Sequence, residues 1–94
     1  MPLETFPYDS AEFLDTPEAV AAYVDEAFAT GDAAFIAKAL GVAARAKGMS
    51  EVARQAGLSR ESLYRALRAE GNPEFVTVLK VAQALGLRLG VAAQ

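Results

Sequence analysis

Residues 49–68 read MSEVARQAGLSRESLYRALR, two short helix-compatible runs divided by Gly57-Leu58-Ser59. Helices that cross tightly need a small residue where the first approaches the second, and Ala53 stands there. The turn needs a residue tolerant of positive φ, which Gly57 supplies. Ser50 is placed to cap a helix over 51–56, and Ser59 a second from Arg60 to about Ala69. Val52, Ala56, Leu58, Leu63, Ala66 and Leu67 remain to pack the pair against a domain. This is the pattern of a helix-turn-helix, whose second helix lies in the DNA major groove.

The polar residues of that second helix fall where such a role needs them. On a 3.6-residue period, Arg60, Glu61, Tyr64, Arg65 and Arg68 share the face opposite Leu63 and Leu67. An arginine can grip guanine O6 and N7 with two hydrogen bonds, or hold a phosphate. Ser59 and Ser62 sit at the helix N-terminus, whose free N–H groups favour anions. Tyr64 suits a thymine methyl or a backbone oxygen, or simple packing. Arginines on a helix also occur as a merely solvated face. The joint spacing of Ala53, Gly57, Leu63 and the arginines makes DNA binding the expectation.

Helices can be placed on both sides of this pair. Asp15-Thr16-Pro17-Glu18 is a start signal, and Val20, Tyr23, Val24, Ala27 and Phe28 follow as one apolar face. Asp32 caps a second helix running to Lys47, with Ile36, Ala39, Leu40 and Ala43 facing inward, and Gly48 stops it. Gly41 lies inside that helix, a cost unless it permits close packing. Asn72 and Pro73 are read as the cap and first position of a fifth helix. Its expected buried stripe is Phe75 or Val76, Leu79, Ala82 and Leu85, with Gly86 as C-cap. Leu87-Arg88-Leu89-Gly90-Val91 alternates with period two and reads as a short strand without a partner in its own chain. Either it pairs with a second copy through Leu87, Leu89 and Val91, giving a homodimer, or it is a frayed tail.

Composition narrows the function. The chain has 94 residues with net charge −3, no His and no Cys. Without those two residue types, the usual general base near neutral pH and the usual metal ligands are missing. No enzyme, cofactor or metal site is expected. No secretory leader and no apolar run long enough for a membrane span is read, so a soluble, cytoplasmic protein is the default. The charge is divided along the chain. Residues 1–32 hold eight acids and no Lys or Arg, whereas residues 33–94 hold four acids and all nine bases. Two partners of opposite sign would account for that split; a solvated acidic helix that confers solubility would as well.

Three stretches together resemble a known family: FLDTPEAVAAYVDEAF (13–28), GDAAFIAKALGVAARAKGMSEVARQAGLSRESLYRAL (31–67) and GNPEFVTVLKVAQALGLRL (71–89). The chain looks like the probable addiction-module antidote proteins, HigA-like antitoxins with an Xre-type helix-turn-helix. The resemblance implies a dimeric repressor of its own operon that also neutralises a RelE/ParE-like toxin. Carried over by position, Ser59, Arg60, Glu61, Ser62, Tyr64 and Arg65 would read operator DNA. Met49 stands where many related proteins place a phosphate-binding Gln, so that contact is expected from Ser50 or Gln55. Toxins of that superfamily are small and basic. The acidic N-terminal segment, with Phe6, Tyr8, Phe13 and Leu14 as apolar anchors, is therefore the expected toxin-binding element.

The expected fold is all-α: a five-helix lambda-repressor-like helix-turn-helix domain with a short C-terminal strand at a dimer interface. It spans residues 1–94 as one domain, with the acidic arm and helix in 1–30, the DNA-binding core in 31–86 and the dimerisation strand in 87–94. The rival expectations are a stand-alone transcriptional regulator with no toxin and a protein-binding helical adaptor.

Overall fold

The computed structural model describes residues 14–68 and 70–94. Five helices follow one another: α1 Pro17–Ala29, α2 Ala33–Lys47, α3 Met49–Ala56, α4 Arg60–Leu67 and α5 Phe75–Ala84. Local chemistry sets the first boundaries. Thr16 Oγ1 accepts a hydrogen bond from the Ala19 N–H at 3.1 Å, and Pro17 takes the first helical position, where its missing N–H costs nothing. Thr30 then couples the end of α1 to the start of α2. Its hydroxyl donates to the Ala27 carbonyl at 2.7 Å and accepts from the Asp32 N–H at 3.0 Å. Asp32 in turn accepts from the Ala34 and Phe35 N–H groups at 3.0 and 3.2 Å.

α2 occupies the centre and touches each of the other four helices. It can do so because it is made of small residues: Ala37, Ala39, Gly41, Ala43 and Ala44 are all buried, around a fully buried Leu40. A Cβ added at Gly41 would lie 3.2 Å from the Leu67 carbonyl oxygen, so this glycine is where α4 comes closest. Val52, Leu63 and Val81 complete the fully buried centre, drawn from α3, α4 and α5. Lys47, at the end of α2, donates to the Ala84 carbonyl, placing a cation at the negative end of α5. α1 packs through Val20, Val24 and Ala27, with Tyr23 half-buried and Phe28 at the edge.

Three expectations need correction. α3 begins at Met49, so Ser50 lies inside the helix and caps nothing. A single residue, Gly48, joins α2 to α3, and the Gly48 carbonyl already accepts from the Val52 N–H at 3.0 Å. α5 begins at Phe75 rather than Pro73, and its buried residues are Val81, Ala82, Ala84 and Leu85. Phe75 and Val76 are exposed instead, at 71% and 49%. α5 is apolar on most sides, so its periodicity admits more than one stripe, and packing against α3 decides between them.

The third correction concerns the tail. Among the described residues none is in a strand, so 87–94 is not the strand expected. A strand exists only as part of a ladder, and the described residues offer no second rung. The Leu87 N–H turns back to the Ala82 carbonyl at 2.8 Å, and the Leu87 side chain rests on the core. Leu89 is half-buried, and Val91 is fully exposed.

Candidate nucleic-acid interface

The α3–α4 corner is closed by backbone hydrogen bonds around one left-handed residue. Gly57 has φ 74° and ψ 30°, and its N–H reaches the Arg54 carbonyl at 3.2 Å. The Leu58 N–H reaches the Ala53 carbonyl at 2.9 Å, which tucks the half-buried Leu58 against the core. These two bonds satisfy carbonyls that the helix end would otherwise leave open. Ser59 follows in extended conformation, and its Oγ accepts from the Ser62 N–H at 3.0 Å, capping α4. Leu63 and Leu67 anchor the helix from beneath. Its far end is held by an approach the sequence did not reveal. A Cβ at Gly71 would lie 2.6 Å from the Ala66 carbonyl oxygen and 2.8 Å from that of Arg65.

With α4 fixed at both ends, Arg60, Glu61, Tyr64, Arg65 and Arg68 all face solvent, as its period requires. Their polar atoms are linked locally. Ser59 Oγ donates to Ser62 Oγ at 2.9 Å, and Arg65 Nη2 donates to the same oxygen at 3.4 Å. Arg60 Nη1 donates to Ser50 Oγ at 3.5 Å, while its guanidinium lies 5.7 Å from the centroid of the Tyr64 ring. Each guanidinium carries five N–H donors, so one such bond orients it and leaves most of its donors for a partner. Arg68, just past the helix, stands 3.9 Å from Glu70, a loose and exposed ion pair.

Ser50, Ser59, Arg60, Ser62, Tyr64 and Arg65 are thus brought together, with Glu61 beside them on the exposed face. Gln55 is engaged elsewhere: its Nε2 donates to Glu51 Oε2 at 2.6 Å. Arg54 makes a bond of the same length to that oxygen and, as the largest influence, holds the Glu51 carboxyl below its ordinary pKa. Met49, in the position expected of a phosphate-binding Gln, is buried in the core. A polar recess of about 630 Å³, lined by Arg65, Arg68, Asn72 and Thr77 among others, continues the surface beyond α4. Gly71, whose close approach the spacing did not reveal, is among its lining residues.

The remaining expected positions do not gather into this surface. Phe6, Tyr8 and Phe13 lie outside the described residues, and Leu14 is half-buried against the core. Leu87, Leu89 and Val91 lie along the tail beside α1 and α5. Among the described residues no group of three or more His, Cys, Asp or Glu could hold a metal ion, and no helix is long and apolar enough to cross a membrane.

Comparison with known proteins adds an independent finding. The profile of a family described as "Probable addiction module antidote protein" matches residues 4–93. A protein of Haemophilus influenzae, described as uncharacterized, is 46% identical over 84 residues, covering 89% of this chain and 87% of the relative. No solved structure matches the chain significantly.

Proposed function

The chain belongs to the family of probable addiction module antidote proteins, whose partner is a toxin, and on that footing we propose a DNA-binding antitoxin of a type II module. It represses its own operon through the α3–α4 pair, which acts as a helix-turn-helix, and sequesters a basic toxin of the RelE/ParE-like superfamily. One observation supports the DNA-binding half above the rest: Arg60 and Arg65 project from α4, each steadied by a serine and each keeping free donors. Guanidinium groups so placed suit base edges in the major groove and the flanking phosphates.

A homodimer that reads successive major grooves would hold its two α4 helices roughly 34 Å apart, one turn of duplex DNA.

A gel shift with DNA from the chain's own operon tests the reading. Arg60→Ala and Arg65→Ala should each weaken binding by about 1–3 kcal/mol, roughly tenfold or more, while toxin binding persists. Binding should also fall steeply with salt, as phosphate contacts require. Wild-type operator affinity in both variants would remove α4 as the reading helix.

A further inference from the structure

α1 has two faces, and among the described residues only one of them enters the core. Val20, Val24 and Ala27 enter the core. Glu18, Ala21, Ala22, Asp25 and Phe28 recur at helical spacing on a second face and wall one side of an open groove of about 920 Å³. Phe75 and Leu79 of α5 and the tail around Leu87 and Leu89 form its other side. We propose that this groove is the seat of the toxin, and that the toxin fills it with an apolar helix or strand bordered by basic side chains. The proposal rests on the antitoxin reading given above.

The shape fits a segment of protein. From Pro17 to Phe28 the groove follows α1 for about 16 Å, three helical turns, and it is open along its length. A small ligand would be enclosed instead, with most of its surface buried. The groove is mostly apolar, and Phe75 at its edge is the most exposed aromatic side chain among the described residues.

Charge selects the partner. Glu18 and Asp25 rise from the groove wall, Asp15 and Glu26 are exposed on and just before the same helix, and no base precedes Lys38. Arg88 is the one cation among the lining residues. Nucleic acid is repelled by such a rim. A second copy docking α1 to α1 would set carboxylates against carboxylates. A basic protein with an apolar centre meets both features, and its charge would also speed association.

The test uses the full chain and the separately purified toxin of its own module, titrated by calorimetry. Ala22→Arg places a long cation in the groove from an exposed position, and Asp25→Lys reverses the wall charge without touching the core. Each should lower toxin affinity at least about tenfold, with the melting temperature and operator binding unchanged. Glu26→Lys, an equal change of charge on α1 outside the groove, should lower it far less. Should Ala22→Arg fail to fold, Asp25→Lys set against Glu26→Lys decides alone. Wild-type toxin affinity in both groove variants overturns the groove and leaves the antitoxin reading standing. Failure of the wild-type chain itself to bind the toxin overturns that reading, and the groove with it. If sedimentation shows that Ala22→Arg abolishes a dimer at unchanged toxin affinity, the groove belongs to a second copy and the proposal falls.

Discussion

α4 and α1 each bury one stripe and expose another, and the two exposed stripes have opposite chemistry. On α4 the exposed face carries Glu61 beside arginine, serine and tyrosine side chains, which are joined to one another at i, i+3 and i, i+4 spacing and to Ser50 across the corner. On α1 they are small or aromatic residues between carboxylates, facing a groove that neither α5 nor the tail fills. A polar surface that orients its own charges is prepared for a charged partner. An apolar one that leaves area exposed is prepared for a partner that can cover it. The net charge of −3 averages over surfaces of opposite sign and describes neither.

Both surfaces hang on one small core, so the change that should break the comparison most severely lies there. Leu63→Ala removes a fully buried side chain beneath α4, at a cost of about 2–5 kcal/mol. For a domain of this size the melting temperature should fall by roughly 10 °C or more, and operator and toxin binding should be lost together on warming. A thermal melt followed by both binding assays checks this. Loss of one activity well before the other would mean that the two surfaces do not share a core.

Gly71→Ala should separate them, with a smaller effect. Its Cβ would meet three backbone oxygens, those of Ala66, Arg65 and Arg68, at 2.6 to 2.9 Å, and backbone cannot swing aside as a side chain can. The strain is of the order of 1–3 kcal/mol. It falls on the end of α4 that carries Arg65 and Arg68, so operator affinity should drop while the α1 groove keeps its shape. Chemical-shift changes confined to α4 and the start of α5 would sharpen the comparison; changes spread through α1 would blur it.

The smallest effect expected is electrostatic. Glu51 has a lowered pKa in the folded chain because Arg54 donates to it, so its contribution to stability is fully present at neutral pH. It is lost as the pH falls from the ordinary glutamate value, roughly 4.3, through the lowered one. The ion pair with Arg54 lies at the solvent-accessible surface, so the effect on stability should be slight. In an NMR titration, Arg54→Ala should return the Glu51 carboxyl toward its ordinary value, and an unmoved midpoint would show that Arg54 is not the cause.

Much of the fold was legible in the sequence where the controlling chemistry is local. Thr16, Asp32 and Ser59 cap helices because their oxygens reach N–H groups two or three residues ahead, a distance the chain fixes by itself. Gly57 was legible for the same reason: a left-handed turn between two apolar runs asks for glycine wherever it occurs. The exposed face of α4 followed from the helical period. Ser50 misled because Gly48 joins α2 and α3 directly, leaving no room for a serine cap. Gln55 was read as available because nothing in its spacing outweighed that reading, although Glu51 one turn back holds it.

What the sequence by itself determined is the set of helices, most of their ends and the split of charge between the two halves of the chain. Each of these depends on residues within a turn or two of one another. Only the tertiary structure decided which stripe of α5 is buried, why Gly71 must be glycine, and where the tail lies. Those depend on which surfaces meet across the core, and an apolar helix such as α5 can satisfy its period in more than one rotation. The rotation taken buries Val81, Ala84 and Leu85 and leaves Phe75 at the surface, which opens the groove beside α1.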